Sequence, residues 1–268
     1  MGSPAQYRAV ICYDGTEFHG FQWQQGCRTV QQTLEEAIQQ RGALIGRVNA
    51  AGRTDAGVHA LGQVVSFTAE LSVPVCRISA ALNGVLPADV AVSRAEEACD
   101  GFHARFSASA RVYWYLISAG GADGPLMRRH TAVVRKALDV QAMNMAAQTL
   151  IGEHDFRAFA AETEPDASTC RRVMRCWVRR WRGLILVQVE ANAFLRGMAR
   201  TLTGTLIEVG AGKRTVQNVA GLLDGGQRGD AGPTAPAQGL YLYRVRYGKR
   251  QEFGARRSAL EQEGRDVN

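Results

Sequence analysis

The chain has 268 residues, 46% apolar and 21% charged, which allows one large core or two small ones and excludes a collagenous or wholly disordered polypeptide. No run of 18 apolar residues occurs and Met1–Gln6 has no apolar leader, so neither a membrane span nor an export signal is expected and the reducing cytosol is the default location. The net charge of +7 favours an anionic partner, and it is uneven: residues 1–105 carry 8 Lys+Arg against 10 Asp+Glu, residues 106–268 carry 24 against 15.

Taken in order, Tyr7–Tyr13 alternates and ends at the turn Asp14-Gly15-Thr16, which predicts a strand. Thr29-Val30-Gln31-Gln32 has the form of a capping box, with Gln32 able to reach back to the Thr29 amide. Val30, Leu34, Ala37 and Ile38 then make a helical stripe that Gly42 is expected to close. A short strand over Arg47–Ala51, a polar glycine-flanked loop and a strand over Gly62–Ala69 follow. Ile78, Ala81, Leu82 and Val85 mark a helix stopped by Pro87, and Val90–Ser93 is a short strand.

The second half repeats the order. Ala110–Ser118 is a strand, Asp139 caps a helix to about Leu150, and Arg172–Trp181 and Leu184–Glu190 are strands joined at Arg182-Gly183. Phe194–Val209 reads as a long helix, Thr215–Leu223 as a short one, Gly225–Gly239 as a loop and Leu240–Tyr247 as the last strand; beyond Gly248 the polar tail is expected to be loose. Two β-α-β-β-α-β units suggest an α+β fold of two ferredoxin-like halves, 1–107 and 108–248, with a tail over 249–268. Joined edge to edge, they form an extended antiparallel sheet with helices on one face and an RNA cleft expected across the other.

Ala50–Ala60 gathers a cation (Arg53), a hydroxyl (Thr54), a carboxylate (Asp55) and an imidazole (His59) in a loop bent by Gly52 and Gly57. Asp55 can act there as nucleophile or base without a metal; the alternative is an Asx-turn that merely caps the bend. The six cysteines are scattered without a CxxC pair, so no metal site is expected. Only three of the 32 basic residues are Lys. Arg171, Arg172, Arg175, Arg179, Arg180 and Arg182, interleaved with Trp177 and Trp181, make the densest basic segment: either a row for phosphates or a charged strand edge kept from aggregating.

The block Ala51–Ala60 with Gly62-Gln63-Val64 closely resembles the signature of the bacterial tRNA pseudouridine synthase A family. Tyr13–Thr16, Gly20-Phe21-Gln22, Thr29-Val30-Gln31, Leu86-Pro87, Phe102–Ala108, Arg111 with Tyr113 and Tyr115, Phe194-Leu195 with Met198 and Arg200, and Thr234-Ala235-Pro236 agree in order. Phe21 stands where the family usually shows Trp and Ala199 where Val is common, both apolar changes. Gly197, inside the expected helix, costs about 1 kcal/mol relative to Ala.

The resemblance implies a cofactor-free isomerase of uridine in the tRNA anticodon stem-loop, acting as a homodimer. It implies Asp55 as the essential carboxylate, Arg200 as its basic partner and Tyr113 as the ring that meets the target base. Composition alone would leave Arg200 a solvated helix residue and Tyr113 a core aromatic. Arg53, His59, Arg179 and Arg180 are the expected RNA contacts. Two other classes stay open at this point: an RNA-binding module without chemistry, and a hydrolase pairing Asp55 with Glu162 or Glu164.

Overall fold

A computed structural model describes residues 3–120, 125–161, 167–248 and 253. The expected loose tail, apart from Phe253, and Glu162 and Glu164 lie outside the described residues. In chain order the elements are β1 (Ala5–Tyr13), α1 (Val30–Gln39), β2 (Gly42–Ala50), β3 (His59–Leu71), α2 (Ile78–Asn83), β4 (Val90–Glu97), β5 (Ala108–Ala119) and β6 (Ala132–Val134). Then come α3 (Val140–Thr149), β7 (Gly152–Asp155), β8 (Cys170–Trp181), β9 (Leu184–Ala191), α4 (Met198–Gly210), α5 (Val216–Gly221) and β10 (Leu240–Tyr247).

The fold is α+β on one mixed, mostly antiparallel sheet in the order β4-β1-β3-β10-β5-β9-β8-β7, with β2 also paired to β3 and β6 to β5. Among the described strands only β3–β10 and β5–β6 are parallel. Within the first half the strands run β4-β1-β3-β2, within the second β10-β5-β9-β8.

Local chemistry accounts for the ends of these elements. The side chains of Thr29, Asp139 and Thr215 accept hydrogen bonds from amides of the first turns of α1, α3 and α5, as N-caps do. Arg182 (φ 49°) and Gly183 (φ 83°) both take left-handed backbone, the twist that a tight β8–β9 hairpin demands.

Several expectations need correction. The capping box is only half formed, because the Gln32 amide turns to Glu36 Oε1 (2.9 Å) one turn on, instead of back to Thr29. Gly42 does not close α1, which ends at Gln39 with Gln40 as its cap; it opens β2, where a side chain would collide with Glu70 O. The long helix begins at Met198, four residues late. Gly197 takes φ 74° ahead of the first turn, so its left-handed backbone starts α4 instead of weakening it. Strands β6 and β7, of three and four residues, are too short for a periodicity to register.

Candidate active site

The site exists because the sheet splits. β3 is the longest strand, and one of its edges serves two partners. His59 and Ala60 pair with Tyr241 and Leu242 of β10, whereas Val65–Leu71 pairs with Ala50–Gly42 of β2. Two strands sharing one edge must diverge, and the β2–β3 connection, residues 51–58, sits at the fork.

That loop is held from both halves. From the first, the Phe21 amide donates to Thr54 O (3.0 Å), Tyr13 Oη shares a hydrogen bond with Thr54 Oγ1 (2.8 Å), and the buried Gln63 amide donates to Gly52 O (2.6 Å). Gly20 (φ 90°) lies so close that a Cβ would come within 2.8 Å of Thr54 O. From the second half, buried Arg111 gives Nε and Nη2 to Ala51 O (3.1 and 2.8 Å), and further bonds to the carbonyls of Asn192, Ala108 and Arg105. Burial pushes this guanidinium below its ordinary pKa. Arg111→Leu would strand these carbonyls and is expected to cost about 3 kcal/mol, read from the urea unfolding midpoint.

Asp55 emerges from this frame with its side chain 41% exposed. Arg200 of α4 donates Nη1 to Asp55 Oδ2 (3.2 Å) and Nε to Ala235 O (2.8 Å), joining the carboxylate to the loop before β10. Tyr113 lies beneath: its Oη is 3.6 Å from where a Cβ on Gly52 would stand, and its ring meets Phe194 edge-on at 4.8 Å. Tyr113 is 8% exposed, and burial, with Tyr13 and then Asp55 adding to it, pushes its phenol well above 10. At neutral pH it therefore keeps its proton, a neutral phenol able to donate a hydrogen bond.

Strand register decides which side each residue serves, since directly paired residues share a face and neighbours in a strand do not. Leu242 pairs with Tyr113, and Tyr115 Oη donates to Pro236 O (2.7 Å), beside the loop that Arg200 grips. Asp55, Tyr113 and Arg200 therefore meet on the helix-bearing side of the sheet, in the gap at the fork. The expectation of a cleft across the opposite, helix-free face does not hold for these three residues, which the strand register and Arg200 on α4 place on the helix-bearing side.

Two expected RNA contacts do not reach this site. His59 pairs with Tyr241, which pairs with Trp114, so it belongs to the reverse face. It is 2% exposed, stacked on Tyr241 (4.7 Å), with the Gly15 amide donating to Nδ1 (3.0 Å) and Nε2 bonded to Arg129 O (3.0 Å). Arg179 also lies on the reverse face, its guanidinium 4.4 Å from the Trp177 ring centroid. Arg180 is exposed on the helix side near the hairpin tip, and Arg53 is exposed two residues before Asp55.

Asp14, His59 and His130 bring ligand-type atoms within 4.8 Å of one another, but both ring nitrogens of His59 are already engaged. Burial lowers the His59 pKa below its ordinary 6.5, against the pull of Asp14. The unfolded chain then takes up the proton more readily, so this contribution to stability is intact above pH 6.5 and lost as pH falls towards the folded value. An NMR titration of the His59 ring should show a midpoint below 6.5; one at or above it would contradict the burial argument.

Arg111 appeared in the sequence only as part of a family block. The signal that could have flagged it is alternation: it shares the inward face of β5 with Tyr113 and Tyr115, a position where a charge needs a reason.

A family model described as tRNA pseudouridine synthase matches residues 9–107 and 146–248. The tRNA pseudouridine synthase A of Roseiflexus castenholzii is 47% identical over 241 residues, 88% of this chain and 88% of the relative. That of Shouchella clausii is 44% identical over 242 residues, 89% of this chain and 92% of the relative. That of a Thermoanaerobacter species is 40% identical over 238 residues, covering 89% and 98%. With matches of this length and identity, the chain belongs to the tRNA pseudouridine synthase family.

Proposed function

We propose that the chain is an isomerase that converts uridine to pseudouridine in the anticodon stem-loop of tRNA. The observation that carries this reading is the half-exposed Asp55 carboxylate, gripped on one oxygen by Arg200 with Tyr113 below it. The reaction only relocates a bond: N1–C1′ breaks, the base turns, C5 joins C1′, the C5 proton leaves and N1 gains one. A carboxylate suffices, either by engaging the electron-poor sugar carbon or by taking a proton in an elimination route. The target nucleotide must leave its stack first, at a cost of a few kcal/mol that contacts to the RNA must return.

In this reading Asp55, Tyr113 and Arg200 are the catalytic residues, Tyr113 lies against the turned base, and Arg53 and Arg180 contact the RNA backbone. The halves 1–107 and 108–248 are ferredoxin-like units, a reading supported by their matching strand orders. A homodimer is supported by the helix-free face, where Trp114 stacks on Tyr243 (3.6 Å) beside Trp177, Trp181 and Arg179, an aromatic surface suited to a second subunit. No described helix is long and apolar enough to cross a membrane; the tRNA substrate is what supports a cytoplasmic location.

The test is tritium release from unmodified tRNA carrying 5-³H-uridine, incubated with the purified chain in EDTA. Release should vanish when the stem-loop uridines are replaced by cytidine. Release that persists, or none from the intact tRNA, would overturn the assignment.

A further inference from the structure

Beside the Asp55 loop lies an indole that the catalytic reading does not use. Trp23 is 42% exposed, in the turn between Phe21 and α1. Phe21 is bonded to Thr54, next to Asp55, and two residues of chain span at most about 7 Å, so Trp23 stands within a nucleotide's length of that contact. It is also fixed in place. Its amide donates to Gln31 Oε1 (2.9 Å), and the Gln31 amide donates to Glu35 Oε1 (2.9 Å). Glu35 is buried and pairs with Arg47 Nε (3.3 Å), and the Arg47 guanidinium lies 5.2 Å from the indole centroid. One buried carboxylate thus orients both the group that holds the Trp23 backbone and the cation over its ring.

We infer that Trp23 and Arg47 form a pre-set stacking platform for a base flanking the everted uridine, with Arg47, itself 54% exposed, also facing the phosphate chain. This rests on the RNA-isomerase reading above. The chemistry fits single-stranded RNA: an exposed indole accepts any base on its π face, and a guanidinium beside it adds cation–π and phosphate attraction. Because Glu35 and Gln31 hold the pair beforehand, little ordering entropy is lost on binding. Trp23 is a positioning residue, acting on the neighbour of the reacting nucleotide.

The experiment uses a stem-loop RNA with 2-aminopurine beside the target uridine. Bound to Asp55→Asn, which should leave the RNA unreacted, the probe should be quenched, and less so when Trp23→Ala is added. In the otherwise intact chain, Trp23→Ala should raise KM about 10- to 100-fold with kcat within about threefold, and Trp23→Phe should restore most of the affinity. An unchanged KM in an active Trp23→Ala chain, or equal fluorescence with Trp and Ala at this position, overturns the inference. If the intact chain makes no pseudouridine, the parent reading fails instead, and the fluorescence comparison still decides the role of Trp23.

Discussion

Asp55→Asn is expected to lower pseudouridine formation by at least about 10⁴-fold while leaving tRNA affinity within about threefold, measured by single-turnover tritium release and by filter binding. The physical basis is the asymmetry of the site. The loop that carries Asp55 is fixed by backbone contacts to Phe21, by side chains of Tyr13 and Gln63, and by Arg111, none of which uses the carboxylate. The substitution therefore removes one charged oxygen without disturbing the frame, and the amide can still face Arg200. Binding relies on stacking and on arginines spread over a larger surface, so it should persist. Activity that survives Asp55→Ala would move the chemistry to another residue.

Arg200→Lys is the second large effect, with an expected loss of about 10²- to 10³-fold in kcat and little change in thermal stability. Arginine serves two directions at once here: Nη1 holds Asp55 Oδ2 and Nε holds Ala235 O. Lysine keeps the positive charge but is a point donor without the planar fork, so it cannot satisfy both partners in fixed geometry. A misplacement of the carboxylate by about 1 Å is enough to cost two orders of magnitude in rate. Hydrogen exchange should also quicken at the Ala235 amide, which donates to Arg200 O in the intact protein. Full activity in Arg200→Lys would mean that charge alone, and not the clamp, holds Asp55.

Much of the local structure is legible in the residues alone. Alternation and capping located β1, α1, α3, β8, β9 and β10, because each has a regular face or a side-chain cap close in sequence. The glycine-flanked block at residues 51–60 made Asp55 a candidate, since it gathers a cation, a hydroxyl, a carboxylate and an imidazole within seven residues, but only family resemblance set it above a capping Asx-turn. The Arg200 partnership came only from family resemblance; the two residues are 145 apart in the chain and meet at 3.2 Å.

What the sequence could not decide was the side of the sheet. A periodicity of two says which residues share a face, but not which face a partner 100 residues away will cover. The fork in β3 made that decision, by pairing one edge with β10 at His59 and with β2 further on. It set Asp55 on the helix side and His59 on the reverse face, and brought Ala51 O to buried Arg111, while the β8–β9–β5 register put Arg179 on the reverse face. Local pattern records what a residue prefers; only the closure of distant strands on one shared edge sets what it meets.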